Sequence, residues 1–310
     1  VMGENVAQLL AHMPNRTGFD LAFEDIRALQ LAALSERFAE GVERIKLVRQ
    51  RTEDAGITEI RSLGDIVPLL LPHTAYKSYP ESFLTGKRWD RLARWLATVS
   101  SMSTDGIDLD GVEDVDGWIA ACEKAGLFVS CTSGTTGKPA MLPASGTDLA
   151  FAAREGVEAV QWASAIRAGD NRTIAGFGAT AQTSRNAANG GALVQAFVDF
   201  AKMPPSGEGP AITIGSITRM IALRKAISEG TAMPDDIAEF ERESAVRQAA
   251  LDAGLDGAVD HVIAHRADRL MLMTMWGPLY QLAERVRERG FSAKDFHPEN
   301  GVFLGGGLKG

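Results

Sequence analysis

The sequence predicts an α/β fold, with a mostly helical region over residues 1–125 and an α/β core over residues 126–310. Three observations predict it. Apolar residues recur at three- and four-residue steps early in the chain, and short apolar runs begin at Leu127. From Leu270 to Gly307 the pattern reads strand, helix, strand, glycines. The expected sheet is twisted and mainly parallel, flanked by helices and preceded by a helical arm.

From Phe23, the apolar positions Ile26, Leu29, Leu34, Phe38, Val42, Ile45 and Val48 alternate with charges such as Glu36, Arg37, Glu43 and Arg44. That spacing predicts one long amphipathic helix ending near Gly56. Asp65 is placed to cap a short turn over Ile66 to Leu71, which Pro72 stops. A second helix is expected over Trp89 to Val99, with Trp89, Leu92, Leu96 and Val99 on one face. Ser100 to Gly111 is rich in Ser, Asp and Gly and reads as a loop. Asp116 or a neighbour then opens a helix through Trp118, Ile119 and Cys122, closed at Gly126.

A strand over Leu127 to Ser130 feeds directly into Thr132 to Pro139, and Met141 to Pro143 is the candidate returning strand. A helix over Asp148 to Ala168 follows, then a strand at Ile174 to Phe177 and a loop over Gly178 to Gly191. Ala211 to Ile214 is a further candidate strand, Pro204 to Pro210 a candidate mobile loop, and Asp235 to His265 a charged helix. The end is clearest: strand Leu270 to Met275, turn at Gly277-Pro278, helix Leu279 to Arg289, strand Val302 to Leu304. Such a unit makes a right-handed crossover in a parallel sheet.

Composition excludes several function classes. In 310 residues, 45% are hydrophobic and 23% charged, the proportions of an ordinary globular protein. Thirty-two Lys and Arg against forty Asp and Glu leave a formal charge of -8, which disfavours a nucleic-acid partner. The cysteines, Cys122 and Cys131, make neither a disulfide framework nor a zinc pattern, and no metal site is expected. The longest charge-free apolar stretch, Leu270 to Tyr280, is too short to span a bilayer and is broken by Gly277 and Pro278. A cytoplasmic protein is expected. A start at valine suggests that the natural terminus lies further upstream.

Residues Thr132-Ser133-Gly134-Thr135-Thr136-Gly137-Lys138-Pro139 carry the chemistry. Gly134 and Gly137 allow backbone conformations closed to residues with a Cβ, so successive amides can face one concavity. Ser133, Thr135 and Thr136 add hydroxyl donors, and Lys138 adds a cation. These groups suit polyphosphate oxygens, whose chemistry depends on positioning and charge neutralisation. The loop is not a Walker A motif: two residues, not four, separate Gly134 from Gly137-Lys138, and Pro139 follows. A kinase or NTPase is therefore the least favoured reading. On composition alone, a Gly/Thr-rich hairpin turn remains the alternative.

The ordered string CTSGTTGKPAMLP, Cys131 to Pro143, resembles the phosphate loop of the adenylate-forming superfamily of acyl- and aryl-CoA synthetases, adenylation domains and luciferases. Most members place a second lysine after the proline, where this chain has Ala140. That departure looks more like the phenylacetate-CoA ligase branch and the acyl-protein synthetases of bacterial luminescence. Ser62 to Pro80, the Trp-Leu helix at Arg94 to Leu96 and the terminal FLGGGLKG are similar to segments of the same branch. Small enzymes that tailor phenazine acids in antibiotic biosynthesis are a plausible cousin.

The resemblance implies an N-terminal large subdomain without the C-terminal lid, a nucleotide-binding core that is incomplete at its C-terminal end, and a ligase reaction. A hydrophobic carboxylic acid, aromatic or fatty, would attack the α-phosphate of Mg2+-bound ATP. The acyl group would then pass to CoA, a protein thiol or an amine. Thr132, Ser133, Gly134, Thr135, Thr136, Gly137 and Lys138 would hold the β- and γ-phosphates, with Lys138 and Thr135 catalytic. Gly305, Gly306 and Gly307, at the C-terminal end of a strand, would admit adenine and the acyl group; the alternative is a flexible chain end. The family's aromatic-x-Thr-Glu segment, ribose-binding aspartate and lid lysine do not appear in the sequence. A fragment of a longer chain, or a sequence from which disordered parts are omitted, is the expectation ahead of a naturally reduced protein, with a non-catalytic nucleotide or acyl-adenylate binding module as the alternative function.

Weaker signals read as structural. His261 and His265 lie four apart on a helix without a third ligand, and are expected as an exposed pair. His73 reads as a turn residue, Lys309 as a solvated lysine, and Cys131 as a packed thiol rather than an acyl acceptor. Gln182, Ser184, Arg185 and Asn186 suit either a substrate carboxylate or a solvated loop. Met271, Met273, Met275 and Trp276 read as a buried strand and its end.

Overall fold

The computed structural model describes residues 3–14, 20–132, 138–178, 183–204 and 212–305. It is a mixed α/β structure with much more helix than strand among the described residues. The chain divides into two compact units, Val1–Glu158 with Thr183–Arg185, and Ala159–Gln182 with Asn186–Gly310. None of the described helices is long and apolar enough to cross a membrane.

The first unit begins with helices α1 (Glu4–Ala11), α2 (Phe23–Arg44) and α3 (Lys46–Ala55). The Glu36 carboxylate on α2 accepts from the amides of Asn5 and Val6 at 2.9 and 3.0 Å, satisfying donors that the first turn of α1 leaves open. Those bonds hold the Glu36 carboxyl below its ordinary range. The single long helix expected to Gly56 is broken at Ile45, which is extended. Two sets of hydrogen bonds accompany the break, one from outside the expected helix and one within it. Leu47 donates its amide to the Thr98 carbonyl at 3.0 Å, and the Arg49 guanidinium bonds the carbonyls of Val42 and Glu43 at the end of α2.

A 3-10 turn over Leu63–Leu69 follows, with Ser62 and Asp65 forming a reciprocal capping box. A second 3-10 turn, Ala75–Lys77, leads to α4 (Ser82–Thr85) and α5 (Trp89–Leu96). Trp89, Leu92 and Leu96 on α5 are buried, as their spacing predicts. Helix α6 (Val115–Lys124) is capped by Asp114, whose carboxylate accepts the Gly117 amide at 2.8 Å. It buries Trp118 and Cys122 beside strand β1 (Phe128–Cys131), which pairs antiparallel with β2 (Met141–Ala144). Helix α7 (Gly146–Ala163) stops five residues before the expected Ala168, where the Ser164 hydroxyl bonds back to the Val160 carbonyl and accepts the Ile166 amide.

In the second unit, β3 (Thr173–Gly176), β4 (Leu270–Thr274) and β5 (Gly301–Leu304) form a parallel sheet in the order β3-β4-β5. Between them run α8 (Ser184–Phe197), α9 (Ile214–Glu229), α10 (Pro234–Ala264) and α11 (Trp276–Glu288). Leu255, Val259 and Val262 of α10 and Leu282 and Val286 of α11 pack with Ala175, Leu270 and Leu272 of the sheet. This cluster is the core of the unit: β3 and β4 are buried, as in a covered parallel sheet, while Val302 and Phe303 of the edge strand β5 are exposed. Gly301 leaves room for Ile166: a Cβ at residue 301 would lie 2.4 Å from Ile166 Cδ1, so that side chain would have to shift.

Two expected elements change type. The loop expected to Gly191 is the first half of α8 from Ser184 onward, because Gly190 and Gly191 are tolerated inside a helix that buries Leu193 and Phe197. Of the strand expected at Ala211 to Ile214, Ile212 forms only an isolated β-bridge and Ile214 already begins α9. There Thr213 caps the helix in a reciprocal box with Ser216, while Ala211 lies outside the described residues. Pro205 to Pro210, most of the expected mobile loop, also lie outside them.

Candidate functional site

The candidate phosphate loop is the turn of the β1–β2 hairpin. Register pairs Cys131 with Met141, and one residue further the turn is closed at its base. The Thr132 amide donates to the Ala140 carbonyl at 3.2 Å, and the Ala140 amide donates to the Thr132 hydroxyl at 3.1 Å. Thr132 therefore braces the turn with both its main chain and its side chain. Ala140 is 2% exposed, so a lysine at this position would bury a charge at the strand edge. Ser133, Gly134, Thr135, Thr136 and Gly137 lie outside the described residues.

Lys138 leaves the turn against a tyrosine from the helical region. Its ammonium donates to the Tyr79 main-chain carbonyl and sits 4.6 Å from the centre of the Tyr79 ring. Tyr79 is fully buried, and its phenol donates to the Pro139 carbonyl at 2.8 Å. The edge of Trp95 packs on the same ring, with centroids 4.8 Å apart and planes at 66°. Trp95 in turn donates its indole N–H to the Ser78 hydroxyl at 2.9 Å. Two consecutive residues, Ser78 and Tyr79, thus tie helix α5 to the exit of the turn.

The electrostatics follow from this packing. Burial pushes the Lys138 ammonium below the ordinary lysine range, the nearby Glu81 opposes that shift, and Lys77 adds to it. Burial drives the Tyr79 phenol well above its usual value, so it stays protonated and donates to Pro139. The Cys131 thiol is pushed up to about 12 by burial, with Asp116 adding to the effect. A thiol so placed is a packed neutral group, not a nucleophile.

Gly305 belongs to the second unit, at the end of β5, where its amide donates to the Thr274 carbonyl at 3.0 Å. A Cβ on Gly305 would meet nothing within 4 Å among the described residues, so none of them requires glycine there. Gly306, Gly307 and Lys309 lie outside the described residues, as does Gln182. Ser184 and Arg185 begin α8, and the Ser184 hydroxyl bonds the Glu123 carboxylate rather than facing open solvent.

His261 and His265 are not the exposed pair expected from the sequence. His261 Nε2 bonds the Ile174 carbonyl at 3.0 Å, and His265 Nδ1 bonds the Asp268 carboxylate at 3.0 Å. That carboxylate also accepts from Lys202 and from Thr173, each at 3.0 Å. The group ties the start of β3 to the end of α10. Among the described residues, no three His, Cys, Asp or Glu side chains are arranged to hold a metal ion.

Tyr79 is the residue that sequence reading missed. Its signal was faint: one of three tyrosines, beside Pro80 in a polar stretch. Its partner lies sixty residues away, beyond the reach of any local pattern. No protein-family model, no curated protein and no solved structure matches the chain.

Proposed function

We propose that this chain is the phosphate-binding part of an adenylate-forming carboxylate ligase that acts on a hydrophobic acid, aromatic or fatty. In this reading a carboxylate oxygen of the acid attacks the α-phosphorus of ATP. The bond to the bridging oxygen breaks, pyrophosphate leaves, and the acid becomes a mixed anhydride with AMP. CoA, a protein thiol or an amine then displaces AMP.

Thr132, the turn residues Ser133 to Gly137 and Lys138 hold the β- and γ-phosphates. Lys138 neutralises charge that accumulates on the leaving pyrophosphate, with Thr135 donating from the turn. Magnesium, when bound with ATP, supplies further charge neutralisation.

The observation that carries the reading is the ordered string from Cys131 to Pro139, bracketed by two antiparallel strands with its lysine anchored at the turn's exit. A hairpin turn with only a structural role has no need of a partly buried ammonium.

Trapping tests it. The chain is incubated with Mg-ATP, hydroxylamine and a panel of fatty and aromatic acids, and hydroxamate and AMP are quantified. Acid-dependent formation of both in equal amounts is the expected result. Nucleotide binding without either product would replace the ligase reading by a non-catalytic binding module.

A further inference from the structure

We infer that Tyr79 is the positioning residue for Lys138, fixing its ammonium where a phosphate oxygen would meet it. This rests on the phosphate-binding role proposed for the turn, and adds a residue that no loop motif contains. The geometry is threefold. The Tyr79 carbonyl accepts one N–H of the ammonium, its ring lies beneath the charge, and its phenol holds the carbonyl of the next residue, Pro139. Main chain and side chain of one residue therefore grip both Lys138 and the backbone that follows it.

A lysine side chain free in solvent samples many rotamers, and ordering it opposes binding. Here that ordering has already happened. An ammonium carries three donors, and among the described residues the Tyr79 carbonyl engages one, which leaves others for an incoming anion. The ring face holds the cation without consuming a donor. Tyr79 is itself immobilised, fully buried and packed edge-on against Trp95, whose indole is fastened to Ser78. An anchor of this rigidity keeps the cation at one place beside the turn rather than along an arc.

The same arrangement explains why the segment Ser78-Tyr79 contacts the hairpin at all. Trp89, which is also buried, donates its indole N–H to the Val112 carbonyl at 2.9 Å, within the helical region. Tyr79 instead spends its one phenol on Pro139, in the backbone that leads out of the turn.

The test is a double-mutant cycle on the full 310-residue chain, with Mg-ATP and inorganic pyrophosphate as separate probes in isothermal titration calorimetry. The variants are Tyr79→Leu, Tyr79→Phe, Lys138→Met and Tyr79→Leu/Lys138→Met. Tyr79→Leu is expected to weaken binding ~10-fold when Lys138 is present. In the Lys138→Met background it should change binding less than ~2-fold, because the group it positions is gone. Tyr79→Phe keeps the ring and the carbonyl, and should stay within ~3-fold of the parent. If Tyr79→Leu does not fold, Tyr79→Phe is taken through the same cycle, and its smaller loss must also vanish without Lys138.

Equal losses in both backgrounds would reduce Tyr79 to a packing residue and overturn the inference, while leaving the ligase reading intact. Pyrophosphate binding that shows the coupling without any ATP binding would uphold Tyr79 and overturn the ligase reading. Binding of neither probe by the parent chain would overturn both.

Discussion

The Lys138 ammonium donates to the main-chain carbonyl of Tyr79 and lies 4.6 Å from the centre of that residue's ring. A charge drawn from the turn of a hairpin is thereby held by a residue from the helical region, fifty-nine positions earlier in the chain. Partial burial of this ammonium lowers its proton affinity, so the position is retained at some electrostatic disadvantage. Substituting Lys138 by alanine is expected to lower acid-dependent adenylation by ~100-fold or more, in the range of removing one donor to transition-state charge. The melting temperature should change little, because the fully buried neighbours Tyr79 and Met141 remain. Steady-state rates and a thermal melt on the same preparation check both statements.

The thiols give a second prediction. Burial pushes both Cys122 and Cys131 up to about 12, with Glu123 and Asp116 adding to the respective shifts. At pH 8 the thiolate fraction of each is then on the order of 10⁻⁴. Both should react far more slowly with an aromatic disulfide reagent in the native protein than in urea. A raised thiol pKa stabilises the fold below the unfolded value and loses that stability as pH rises through the window toward 12. Urea midpoints should therefore fall as pH is raised from about 9. Cys131→Ser should retain adenylation, which a thioester role for that residue would not allow.

Asp268 sets an acid limit. Hydrogen bonds from Lys202 and His265, supported by Thr173, lower its carboxyl to about 2. A depressed carboxyl stabilises the fold above its unfolded pKa of ~3.9, and that contribution is lost as pH falls toward 2. The side chain is 32% exposed, so solvent screening reduces the stabilisation to about 1 kcal/mol. His261 acts in the same direction. Burial, with the neighbouring His265, lowers its pKa despite the Ile174 carbonyl, so protonation at mildly acid pH opposes folding. Asp268→Asn should lower the urea-derived stability at pH 7 by about 1 kcal/mol and flatten its decline between pH 4 and pH 2.

Packing at the edge of the parallel sheet is equally specific. A Cβ at residue 301 would sit 2.4 Å from Ile166 Cδ1, and Ile166 is 6% exposed with little room to move. Gly301→Ala should cost about 1–3 kcal/mol by overpacking. Ile166→Val removes the offending methyl, so the double variant should be more stable than Gly301→Ala alone. Chemical denaturation of the three variants gives the comparison.

Periodicity carried much of the fold. Helices α5, α6 and α10 and the end of the chain from β4 to β5 are legible because each buries apolar residues within its own unit. The break at Ile45 was not, because the bonds that accompany it involve a distant carbonyl at Thr98 and an arginine at position 49. The first turns of α8 were hidden for a different reason. Gly190 and Gly191 have low helix propensity, and tertiary burial of Leu193 and Phe197 outweighs it. Helix α9 was masked because Ile-Thr-Ile reads as a strand until the Thr213–Ser216 box is recognised as a cap.

At the candidate site, the Gly/Thr-rich string was plain in the sequence, whereas its anchor was not. The contacts of Lys138 and Pro139 with Tyr79 link residues about sixty apart, and such pairings leave no periodic trace. The histidine pair failed in the opposite way. Its i, i+4 spacing suggested a solvent-facing couple, yet each ring is committed to a fixed partner, Ile174 or Asp268.

Acid-dependent ATP–pyrophosphate exchange tests the central claim most directly. The chain is incubated with ATP, magnesium, labelled pyrophosphate and one acid at a time from a fatty and aromatic panel. Label entering ATP only when one class of acid is present, and abolished by Lys138→Ala, is the predicted result. Exchange that is absent with every acid, or that persists unchanged in Lys138→Ala, would contradict the account.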